Sequence, residues 1–94
     1  MEKIDIYFET GAFENFSALK DGADLFTAQL AVKYYNQLFR FPPEHWGRVR
    51  RELGKDTFVS DRHCPFEIKG WIEETAPLRT LHILKFAIRN KHTK

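Results

Sequence analysis

The sequence predicts an α+β domain, two helices packed on a small, mainly antiparallel sheet of about four strands in the order β-α-α-β-β-β. Three observations carry this reading. Ile4, Ile6 and Phe8 alternate with Asp5, Tyr7 and Glu9, the period of a strand with one buried face. Apolar residues then recur at helical spacing from Leu25 to Phe39, and period two returns after Gly54 and lasts to about Ile88. A chain of 94 residues has room for one core, so the whole of 1–94 is read as a single domain.

Each element has its own signal. The stretch Thr10 to Gly22 holds two glycines and a short apolar cluster, Phe13, Phe16 and Leu19, and reads as a loop with a helical turn. Asp24 is placed to cap a helix running to about Phe39, its carboxylate accepting a backbone N–H at the positive end of the dipole. In that helix Leu25, Ala28, Val32, Tyr35 and Phe39 form one stripe, with Phe26, Leu30, Tyr34 and Leu38 beside it. The apolar arc is wider than a surface helix needs, so it is covered by two layers or faces a partner chain. Pro42-Pro43 ends this helix and opens a second, which Gly54 closes. Trp46, Val49 and Leu53 would share its inner face, with Arg48, Arg50 and Arg51 outside or on the flank.

Beyond Gly54, a short segment Thr57–Ser60 leads to a polar corner, Asp61-Arg62-His63-Cys64-Pro65. Phe66, Ile68, Gly70 and Ile72 alternate with Glu67, Lys69, Trp71 and Glu73 as a strand, and Glu74-Thr75-Ala76-Pro77 is a hairpin-type connection. The last strand, Leu78 to about Ile88, is apolar on both faces and so reads as an inner strand, with His82 on the face of Leu84 and Phe86.

Composition bounds the function. Hydrophobic residues are 43% and aromatics 15%, a folding composition with an aromatic core. The single cysteine, Cys64, allows no internal disulfide, which points to a reducing, cytoplasmic setting. No run reaches the roughly 20 apolar residues of a membrane span, so no membrane partner is expected. The net charge of +2 is uneven: residues 1–24 sum to −4, 25–54 to +3, 55–78 to −2, and 79–94 to +5 with no acid. A basic end of this kind meets phosphate or an acidic protein face, or is a solvated tail.

No cofactor or metal is expected. His45, His63, Cys64, His82 and His92 show no paired ligand spacing, and none of the five glycines belongs to a phosphate loop. Cys64 beside His63 could be an activated thiol, but a lone cysteine is more often a small buried hydrophobe. His82 reads as a buried or half-buried histidine with a backbone or carboxylate partner.

The order strand, helix, helix, then three strands, with the basic close Phe86-Ala87-Ile88-Arg89-Asn90-Lys91-His92-Thr93-Lys94, resembles the RelE/ParE toxin superfamily. That resemblance implies cleavage of messenger RNA or inhibition of another target, with Arg62, His63, Lys85, Arg89, Lys91 and His92 as candidate catalytic groups. Read from the residues alone, the chain is first a non-enzymatic interaction factor of accessory, inhibitor or immunity type, as a mobile element or phage would carry. It would work through Leu25, Phe26, Leu30, Tyr34, Tyr35 and Trp71 on a protein partner or on a second copy of itself. The third expectation is RNA or DNA binding through Arg48, Arg50, Arg51, Arg89, Lys91 and Lys94.

Overall fold

The computed structural model describes residues 3–22, 24–75 and 77–89. Helices and strands are both present, but in a richer order than the periodicities suggest: β1 (Lys3–Phe8), α1 (Thr10–Gly22), α2 (Leu25–Arg40), α3 (Pro43–Trp46), β2 (Gly47–Glu52), β3 (Lys55–Ser60), β4 (Phe66–Thr75) and β5 (Leu78–Ile88). The strands form one five-stranded sheet in the order β1-β5-β4-β3-β2. Three of its four pairings are antiparallel, and β1 runs parallel to β5.

Two expectations about the helices are corrected. The segment 10–22 is a full helix, because Ala12, Phe16 and Leu19 follow one face and turn towards the core, whereas Phe13 is left outside. The second long helix does not exist. After one turn the chain leaves as β2, since Gly47 and Val49 alternate with Arg48 and Arg50 and pair with β3 through Glu52↔Lys55. Leu53-Gly54 is therefore a two-residue hairpin turn, with φ of 52° at Leu53 and 78° at Gly54, both in the left-handed region. Leucine there is strained by roughly 1–2 kcal/mol, and its side chain is 101% exposed, so it recovers nothing by packing. Leu53→Asn should therefore raise stability by about 1 kcal/mol in urea titration; a loss of stability would show that the leucine makes a contact.

α2 begins and ends close to its expected bounds. Asp24 accepts from the Thr27 backbone N–H at 2.9 Å and from the Thr27 hydroxyl at 3.0 Å, and these bonds hold its carboxyl below the usual carboxylate range. The helices share one face of the sheet. Ala12 and Phe16 of α1, with Ala31 and Leu38 of α2, meet Phe58, Phe66, Ile68, Ile72, Leu81, Ile83 and Phe86 in a single core. Trp46 of α3 closes it edge-on against Phe58, with centroids 5.5 Å apart. Among the described residues no helix is long and apolar enough to cross a membrane.

The last strand is an inner one, as its composition implied, but its faces are not those the alternation suggests. A bulge where Lys69 pairs with Lys85 and Gly70 with Ile83 adds Leu84 to β5 and shifts the phase. Leu81, Ile83 and Phe86 therefore point into the core, whereas His82 points to the opposite, helix-free face.

Candidate functional site: the open face of the sheet

Side chains on the open face fall into rows across the strands, because residues paired across a sheet stand on the same side; three central rows lie between Glu67 opposite Ala87 at one end and Thr75 opposite Leu78 at the other. The first row is Arg48 on β2, Val59 on β3, Lys69 on β4 and Lys85 on β5. The second is Arg50, Thr57, Trp71, His82 and, on β1, Tyr7. The third turns acidic, with Glu73 opposite Thr80 and Thr80 opposite Asp5.

Arg48, Val59 and Lys69 of the first row line a shallow concavity of about 390 Å³. Its walls are Arg48, Arg50, Glu52, Thr57, Val59, Lys69 and the bulged Leu84, over a floor of Phe58 and Gly70. Among the described residues Arg48, Arg50 and Lys69 make no ion pair, so their charge is available to a ligand. Lys85 is partly engaged: its ammonium lies 2.8 Å from the Glu67 carboxylate, which this hydrogen bond holds below the usual range.

The second row is a packed ladder. The rings of Trp71 and His82 are parallel, 3° apart in plane with centroids at 4.0 Å, and Tyr7 stacks on His82 at 5.4 Å. Lys55 Nζ sits 4.3 Å from the Trp71 ring centre. Glu73 Oε1 lies 2.8 Å from His82 Nε2, and Glu9 Oε2 lies 3.9 Å from Nδ1, which is buried without a hydrogen bond. His82 thus has the carboxylate partner expected of it. Trp71, named above for an interaction surface, is half-buried, its ring stacked on His82 and approached by Lys55. Tyr7, half-exposed on the edge strand, is the ring of this row that is open to stacking.

The other sequence candidates are dispersed. Arg51 stands on the helix side of β2, 3.1 Å from Asp56. Arg62 and His63 are exposed in the corner 61–65, and among the described residues no hydrogen bond or ion pair joins them to Lys85. Arg89 is structural. Its Nε donates to the Cys64 carbonyl at 3.0 Å, and its Nη2 donates to Ser60 Oγ at 2.9 Å and to the Asp61 carbonyl at 3.2 Å. Lys91, His92 and Lys94 lie outside the described residues. Burial pushes the Cys64 thiol above its usual range, the opposite of what an activated nucleophile needs. Among the described residues no three His, Cys, Asp or Glu side chains gather to hold a metal ion.

Of the proposed interaction residues on α2, Leu25 and Phe26 are exposed, at 73% and 71%. Leu30, Tyr34 and Tyr35 are half-buried and pack on the core, Tyr34 edge-on to Phe66 and Tyr35 against Phe8 and Phe16. They are therefore core-lining residues, and the two-layer account of the wide apolar arc holds for that part of the helix.

No protein family, curated protein or solved structure matches the chain.

Proposed function

We propose that the chain binds single-stranded RNA on the open face of its sheet. The observation that carries this reading is the row Arg48, Lys69 and Lys85, lying one pleat period, about 6.6 Å, from the row that ends in Tyr7. Cations, of which Arg48 and Lys69 make no ion pair among the described residues, beside a row that ends in the open ring of Tyr7 match the two needs of a single strand: neutralised phosphates on one track, and a stacking surface for a base on the other. Four strands at about 4.8 Å spacing make the cationic row roughly 14 Å long, room for two or three nucleotides. A shallow sheet face with its helices on the far side offers nothing to enter a major groove, so a duplex fits it poorly. Among the described residues Arg62 and His63 stand apart from Lys85, and Lys85 and Arg89 are engaged by Glu67 and by the 60–66 corner, so the proposal is binding without a cleavage step.

The test is anisotropy of a labelled oligouridylate between 50 and 200 mM salt. Affinity should fall steeply as salt rises, and Arg48→Ala with Arg50→Ala should weaken it by about 10–100-fold and lower the salt slope by about 1.4, or 0.7 per lost phosphate contact. Arg51→Ala, on the other side of the same strand, should change little. Absence of binding at 50 mM salt, or equal losses from Arg51 and the pair, would remove the proposal.

A further inference from the structure

A second surface, on the helix layer, lies away from the open face. Leu25, Val32 and Phe39 are all exposed, at 73%, 36% and 40%, and they are spaced seven apart, so they form a straight seam along α2. The seam broadens through rings in contact: Phe39 lies edge-on to Tyr35, Tyr35 stacks on Phe8, and Phe8 meets Phe13 of α1, itself 55% exposed. Phe26 lies about a quarter-turn round the helix from Leu25 and is not part of it.

Two features show what this seam fits. It is symmetric about its middle, Val32 being seven residues from Leu25 and seven from Phe39. Its ends are opposite in charge, with Asp24 exposed at the N-terminal end, where Lys20 offsets the neighbouring Asp21 at 3.9 Å, and Arg40 exposed at the C-terminal end. A parallel neighbour would set acid beside acid and align the two helix dipoles; an antiparallel one sets acid beside base and opposes them. A surface that complements itself after half a turn is the signature of an isologous pair.

We infer that α2 packs antiparallel on α2 of a second copy of this chain, about a two-fold axis through Val32. Leu25 then faces Phe39 of the second copy, and the two Val32 side chains meet. The contact runs the full 16 residues of α2, about 24 Å, with Phe13 at its margin. That is a modest interface by the standard of stable dimers, so the dimer should form at tens of micromolar rather than nanomolar concentration.

Cross-linking tests the geometry in a Cys64→Ser background. Val32→Cys should form a disulfide-linked dimer under mild oxidation. Leu25→Cys alone should not, whereas Leu25→Cys with Phe39→Cys should. Sedimentation without nucleic acid tests the association: at 100 µM the mass should approach twice the 11.1 kDa of one chain, and Val32→Glu should return it to one. A strict monomer at that concentration overturns the proposal. So does cross-linking through Leu25→Cys alone, which would mean a parallel pair, or a dimer untouched by Val32→Glu. None of these readouts depends on RNA, so either surface can fail without the other.

Discussion

Gly70→Ala should remove about a third or more of the stability of this fold, a loss of about 3–5 kcal/mol against the roughly 5–10 expected for a domain of this size. Gly70 lies at the centre of the sheet, between Phe58 on β3 and Ile83 on β5, beside the bulge. A Cβ there would overlap the His82 carbonyl oxygen and come within 2.8 Å of Phe58 Cζ. The first of these is backbone in an inner strand and cannot turn aside. The second is a ring 3% exposed, already held by Trp46, so it has nowhere to go. Glycine is thus required by close approach, the Phe58 ring filling the space its side chain would take. Urea denaturation measures the effect. Gly22→Ala is the control, because a Cβ at that helical position meets nothing within 4 Å, and it should be neutral or mildly stabilising. A change of less than 1 kcal/mol at Gly70 would mean that the bulge can relax.

Arg89→Ala should cost about 2–4 kcal/mol of stability and leave the RNA affinity of the folded protein within about two-fold. The guanidinium ties the end of β5 to the corner between β3 and β4 through the Cys64 and Asp61 carbonyls and Ser60 Oγ. Ser60 is 5% exposed and fully satisfied, donating to the Phe66 carbonyl at 2.8 Å while accepting from the Ile68 N–H at 3.0 Å and from Arg89. Loss of the arginine strips donors from several part-buried acceptors at once. Arg89→Lys should recover only a fraction, since an ammonium is a point donor and cannot span carbonyls on both sides as the planar fork does. Unchanged stability with lost RNA binding would return Arg89 to the functional set.

These two residues mark where sequence reading stops in this chain. The strands Ile4–Phe8 and Phe66–Ile72 and the capped helix after Asp24 were legible because a single period governs each. Residues 46–53 were not: Trp46, Val49 and Leu53 satisfy a helical face, while Gly47, Val49 and their arginine neighbours satisfy a strand. Pairing with β3 decided between them, and the usual Asn-Gly or Asp-Gly turn signal was absent because leucine holds the first left-handed position. The same misreading hid the cationic row. As a helix, the segment sets Arg48 with Arg51 opposite the apolar face and Arg50 on the flank, but on β2 Arg48 and Arg50 stand on one side and Arg51 on the other. Lys69 and Lys85 join them only through cross-strand register, which sequence spacing does not contain. Arg89 was misplaced for the opposite reason: a cation in a basic stretch gives no sign that carbonyls from residues 60–66 surround it.

The parallel pairing of β1 with β5 also bears on how the protein is made. Lys3 pairs with Leu78 and Phe8 with Ile83, so β1 finds its neighbour only after the intervening elements and β5 have left the ribosome. Until then the apolar side of Ile4, Ile6 and Phe8 has no strand beside it, and α1 lacks the strand on which it rests. High sequence separation of this kind slows folding. Between the emergence of β1 and that of β5 the nascent chain therefore carries an open edge, the interval in which a chaperone or an early-binding partner would have most to protect.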